Sequence, residues 1–230
     1  MDLSTLRASA RSKADEQATG FIDNTELDRF INQGYRYVYG YLVQQYQDFF
    51  IVKGTTGNGG LISVLGGQNE YSLPTNMYKL VRVERRNLND SNENNWRKLP
   101  RLNLGNDQIN DFYPIREGRD QGFGFYIAGD KIYLRPLPSG PFDIRLWFIP
   151  RTNTLTLATD VPVLPEEYHE LVAEFAAIQM LRKSGEGIYR ESIEQFQLEM
   201  KSMVDTSIHR NFEPEQMIVS DDSDFDRWVY

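Results

Sequence analysis

The residues able to do chemistry are few and incompletely arranged. His169-Glu170 falls on a segment with helical spacing, and Glu174 is near. A helical zinc-hydrolase motif would need a second histidine four positions after the first, and position 173 is Ala173. The expectation is therefore an exposed polar helix face. Gly122-Phe123-Gly124 matches the opening of a dinucleotide loop. The third glycine would fall at Ile127, and the segment reads as strand, so these glycines are expected to serve turns and bulges. Asp221, Asp222, Asp224 and Asp226 have the acidity of a calcium loop, yet Asp226 stands where the loop's glycine belongs. They read as a solvated acidic tail. There is no cysteine, which removes disulfides, thiolate metal sites and cysteine nucleophiles. No Gly-Lys-Ser/Thr phosphate loop occurs, and no carboxylate pair stands out as the acid and base of a glycosidase. The chain reads as a non-enzyme with no cofactor and no metal.

Charge narrows the partners. The 230 residues carry a net charge of -8, and residues 211–230 hold six acids against one base. The rest is only mildly acidic, unlike a module that grips phosphates with concentrated Lys and Arg. One basic stretch stands apart: Lys79, Arg82, Arg85, Arg86, Arg97, Lys98 and Arg101. It reads as a solvated strand edge protected by charge, the other reading being contact with DNA or an acidic partner. No run approaches the ~18 apolar residues of a membrane span, and the N-terminal residues lack the apolar core of a secretory signal, so a soluble, unexported chain without membrane contact is expected.

These residues must be positioned by three regions. Residues 2–50 repeat apolar side chains at spacings of three and four. A first helix, capped by Asp2 or Ser4, carries Leu3, Leu6, Ala10 and Ala14 and should end at Gly20. A second opens on Asp23 and Glu26 as a capping box and runs an apolar stripe from Leu27 through Ile31, Tyr35, Val38 and Leu42 to Phe49. Gly34 sits on that face, where it allows close helix approach. Residues 51–160 are β-rich. Gly129-Asp130 suits a two-residue hairpin turn, and Phe142–Phe148 alternate as a half-buried strand would. Residues 87–121, polar and Asn-rich with weak strand signal, read as a long loop or mobile projection. Helix returns at 161–210. Pro165 opens it, Lys183-Ser184-Gly185 interrupts it, and a fourth helix spans roughly 187–209. The expected fold is α+β: a four-helix bundle from residues 1–50 and 161–210, an antiparallel β-rich domain inserted at 51–160, and an extended acidic tail at 211–230.

Four segments, taken in order, resemble the head-to-tail adaptor (connector) proteins of tailed phages. They are Phe21-Ile-Asp23-Asn-Thr-Glu26-Leu27 leading to Ile31-Asn32-Gln-Gly34-Tyr35; Tyr71-Ser-Leu73-Pro74 leading to Lys79-Leu80; the hairpin Tyr126–Leu137 with Pro138; and Leu164-Pro165-Glu-Glu-Tyr168-His169. The resemblance implies a virion structural protein at the head-tail junction, made in the host cytoplasm. It implies copies in a ring, dodecameric like the portal, docked between the portal protein and tail or nozzle proteins, with double-stranded DNA passing transiently through. It carries the portal or neighbour contact onto the tail, where Phe212, Phe225, Trp228 and Tyr230 would be the anchors. Two other readings stand beside it: a tail-tube or baseplate protein, and a β-rich carbohydrate-binding module stacking sugar on Trp96 and Trp147.

Overall fold

The computed structural model describes residues 1–15, 21–88, 90, 92–102, 123–185 and 189–211. It divides into two compact units, Met1–Val38 with Leu155–Tyr230, and Tyr39–Thr154. The first is helical and the second is β-rich.

In the helical unit, Asp2 starts helix α1 (Leu3–Lys13) by accepting hydrogen bonds from the Thr5 backbone N–H and hydroxyl. These bonds hold its carboxyl at a pKa of about 2. The helix stops earlier than the Gly20 expected from sequence: Ala14 caps it and Asp15 turns to positive φ. Helix α2 (Asn24–Gln45) begins where Asp23 accepts the Glu26 N–H at 2.7 Å. Glu26 does not complete the expected capping box with its carboxylate, which pairs instead with Lys183 and Arg29. Helix α3 (His169–Ser184) follows Pro165 and a 3-10 turn at Glu166–Tyr168, and ends on Gly185 at φ 78°. Helix α4 (Tyr189–Asn211) packs against α3, as does α1. Gly34 lets α2 close on α3: a Cβ there would lie 3.0 Å from the Phe175 side chain and 3.1 Å from the Val172 carbonyl.

The apolar stripe of α2 does not run on to Phe49. A 3-10 turn at Gln47–Phe50 shifts the phase, so Phe50 is buried and Phe49 exposed.

Among its described residues the β unit holds eight strands: β1 (Val52–Lys53), β2 (Leu61–Val64), β3 (Glu70–Ser72), β4 (Met77–Asn87), β5 (Arg97–Lys98), β6 (Gly124–Ala128), β7 (Lys131–Arg135) and β8 (Phe142–Pro150). The larger sheet runs β1-β8-β4-β5, with β2 also on β8; the smaller runs β3-β7-β6. The described strand pairs are antiparallel, and an isolated bridge joins Arg101 to Phe125 in parallel. Val83, Ile144, Leu146 and Phe148 of one sheet meet Phe125, Ile132 and Leu134 of the other in a single core. Gly129-Asp130 forms the expected hairpin turn, Gly129 taking positive φ.

Strand β8 is not half-buried. Asp143 and Arg145, expected to face water, are as buried as their apolar neighbours. The stretch 87–121 is likewise not one loop. It contains a 3-10 turn at Glu93–Asn95 and strand β5; residues 103–122 lie outside the described ones.

Candidate functional site

Two constructions single themselves out, one in each unit. In the helical unit, α2 grips the irregular segment from Leu155 to Leu164. Asn32 is buried within the apolar stripe. Its Oδ1 accepts the Leu155 N–H at 2.8 Å, and its Nδ2 donates to the carbonyls of Leu155 and Asp28, each at 2.9 Å. One turn on, the buried Tyr35 hydroxyl accepts the Val163 N–H at 2.8 Å. Burial raises that phenol's pKa, so it stays protonated. The segment also caps α1, since the N–H groups of Leu3 and Ser4 donate to the carbonyls of Asp160 and Ala158. Asp160 closes its tip by accepting the Thr156 and Leu157 N–H groups.

His169 locks the far end of this segment. It is buried, not on an exposed polar face as expected. Nε2–H donates to the Leu164 carbonyl at 3.0 Å, which leaves Nδ1 to accept from the Met1 ammonium at 2.6 Å. Burial lowers its pKa, in keeping with a neutral ring. What the segment displays is apolar: Leu157, Val161 and Val163 are 64%, 50% and 62% exposed. Loops that expose such side chains are usually mobile; this one is held by its backbone, which suits a preformed contact surface.

In the β unit, the outer face of β4 and β8 carries a charged and aromatic network. Glu84 accepts from Arg145 Nε at 3.1 Å and Trp147 Nε1 at 2.7 Å, and pairs with Arg82 at 2.7 Å. Arg145 reaches on to Glu93 at 2.7 Å, and Lys53 to the same carboxylate at 2.9 Å. Hydrogen bonds from Arg145 first, then Lys53, pull the Glu93 pKa to about 2. Trp96 lies under two guanidinium groups, Arg145 at 4.0 Å and Arg86 at 4.6 Å, and Arg82 sits 4.8 Å over Trp147. Neither tryptophan offers the open platform that the carbohydrate reading needs. The network clamps the turn at Glu93–Asn95 onto the sheet.

The basic stretch is a strand edge only in part. Arg97 and Lys98 lie on β5 at the end of the sheet, whereas β4 is flanked by β8 and, at Glu84 and Arg85, by β5. Arg82 and Arg86 are bound to acids and rings; Arg85 lies over Phe123 and Phe142. Lys98 and Arg101 remain exposed. Gly124 sits in β6, where a Cβ would meet Leu102 at 2.8 Å. Among the described residues no group of His, Asp and Glu could hold a metal, and no helix is long and apolar enough to cross a membrane. Phe212, Phe225, Trp228 and Tyr230 lie outside the described residues.

Asn32, Tyr35 and His169 all belong to the segments quoted from the sequence, but their common target was not legible there. A polar Asn inside an apolar stripe was the available signal. The Arg145 network had none beyond the alternation of β8.

No curated protein matches the chain. The family model described as SU10 adaptor protein matches residues 1–215, which takes in every described residue and leaves 216–230 beyond it. The chain belongs to that family, the non-catalytic head-to-tail adaptors that link portal and tail at the head-tail junction of phage virions.

Proposed function

We propose that copies of this chain assemble as a closed, dodecameric ring beneath the portal, with the duplex passing through its centre. The helices of residues 1–50 and 161–210 build the ring body, and the β-rich insert of 51–160 adds contact surface. Assembly takes place in the host cytoplasm. The observation that carries this reading is the clamped segment at Leu155–Leu164. Three exposed apolar side chains on a fixed backbone give a docking surface whose ordering entropy is already spent before contact. Its modest size fits a protein that joins a ring on a template rather than alone. The net charge of -8 suits a conduit, since like charge lets DNA pass without being held.

The tail of residues 211–230 supplies a second attachment, to the portal or a neighbouring copy, through Phe212, Phe225, Trp228 and Tyr230. Buried aromatic side chains dominate interface energy, so these four would anchor an otherwise polar segment. Electron microscopy of the chain mixed with portal-bearing heads tests the whole reading. An added collar is expected. Deleting 211–230 should leave a folded chain that no longer attaches; normal attachment by that truncation would remove the tail from the account.

A further inference from the structure

A groove of about 440 Å3 opens beside β4, with Leu80, Val83, Leu99 and Phe125 along it and Lys98 and Arg101 among its lining residues. Its origin is a parting of strands. β5 pairs with β4 only at Glu84 and Arg85. After the Leu99 N–H donates to the Val83 carbonyl, the chain leaves β4 and joins β6, where Pro100 and Leu102 bond to Phe125. From Met77 to Arg82, no described strand lies on that side of β4. Within this stretch Val81 stands opposite no residue of β8, the extra residue of a bulge.

The chemistry of the groove is one-sided. Leucine, valine and phenylalanine side chains form much of its wall, and among the described residues no acid lines it. Arg82 is neutralised by Glu84, but Lys98 and Arg101 pair with no described acid. An occupant should therefore be extended, apolar at one end and acidic at the other. The chain carries one such segment. Residues 212–230 hold Glu213 and Glu215, then Met217-Ile218-Val219, then Asp221, Asp222, Asp224 and Asp226, with Arg227 as their one base. Fully extended, nineteen residues reach roughly 60 Å, enough to leave one subunit for another.

We propose that the groove beside β4 receives the acidic C-terminal segment of a second copy, Met217–Val219 on the apolar wall and the aspartates toward Lys98 and Arg101. This rests on the ring reading and names the receptor for the tail. It repeats head to tail, as a heterologous ring contact must. Most of that segment lies beyond the family match, which ends at residue 215.

The test uses full-length chains and a labelled peptide of residues 212–230. A tail-neutralised chain, with Asp221, Asp222, Asp224 and Asp226 changed to Asn, should bind the peptide, more weakly as salt rises. Lys98→Glu with Arg101→Glu should weaken binding at least tenfold, and the milder Gln pair by less. A peptide with Lys at the four aspartate positions should restore binding to the Glu variant. A scrambled peptide binding equally well would overturn the proposal, as would tighter binding of a DNA duplex at Lys98 and Arg101. So would blocking of the peptide by the intact tail in dilute wild-type chain, since that tail would then occupy its own subunit. Collar formation separates the two readings. A wild-type collar on portal without peptide binding sinks only this inference, whereas no wild-type collar sinks the ring.

Discussion

The helical unit and the β unit each hold a stretch of irregular chain against regular structure, with opposite chemistry. In the helical unit, neutral side chains bond to backbone: Asn32 to Leu155, Tyr35 to Val163, His169 to Leu164. In the β unit, charged side chains bond to one another: Arg145 joins Glu84 to Glu93 over the face of Trp96. A backbone group has a fixed place, and Asn32, Tyr35 and His169 share no partner, so each helical-unit contact stands apart from the others. Carboxylates and guanidinium groups take several partners, so the β network is shared, and losing one member leaves several unpaired. The first kind is indifferent to salt. The second should weaken where its members reach water, as Glu93 does.

That contrast can be broken from either side. The largest effect is expected from Arg145→Ala, which leaves the nearly buried Glu84 carboxylate with Arg82 and Trp147 alone. A loss of about 3–5 kcal/mol in the β unit is expected. Trp96 and Trp147 report it as an earlier fluorescence transition in urea; a loss below about 1 kcal/mol would mean that the network is decoration. Asn32→Ala strands both backbone groups of the buried Leu155 and should cost about 2–4 kcal/mol, read by far-ultraviolet circular dichroism. Unlike the first, its cost should not change with salt.

Two glycines in one helix sharpen the picture further. Gly34→Ala must push against Phe175 and the Val172 carbonyl, at about 1–3 kcal/mol. Gly40→Ala meets nothing within 4 Å and should stabilise by about 0.5–1 kcal/mol through helix propensity. Opposite signs in thermal melts are the expected result.

The smallest effect concerns pH. Burial, then the neighbouring Glu199, raises the Glu174 pKa to about 7; Lys13 opposes this and Glu170 adds to it. The native state therefore holds a proton that the unfolded chain releases near 4.5, so stability falls as pH rises from about 4.5 to 7. Glu174→Gln should flatten that slope and raise the melting temperature at pH 8. The group is half-exposed and screened, so a gain on the order of 1 kcal/mol, about 2–4 °C, is expected.

Much of the fold was legible in the sequence because its signals are local. Asp23 before a helix, Gly34 on an apolar stripe, Gly129-Asp130 between strands and Gly185 after a helix each act within a few residues. Legibility failed where a distant segment changed a residue's surroundings. Arg145 looks like the wet side of a strand until the turn at Glu93 covers it, and Asp143 until Ser63 and Arg86 close on it. His169 looks like a surface residue until Leu164 and Met1 close over it. Phe49 and Phe50 exchange roles because one 3-10 turn shifts the phase. The clamped segment at 155–163 carries no periodicity, so nothing local marked it as ordered.

By itself, the sequence determined the α+β class, the order of helices and strands, the lack of any cysteine-based chemistry and the adaptor resemblance, all of which depend on spacing and residue type along the chain. Tertiary structure alone decided which polar groups are buried together and where an apolar surface is held rigid. Those outcomes depend on side chains as far apart as Asn32 and Leu155, or Lys53 and Glu93, whose meeting no local pattern records.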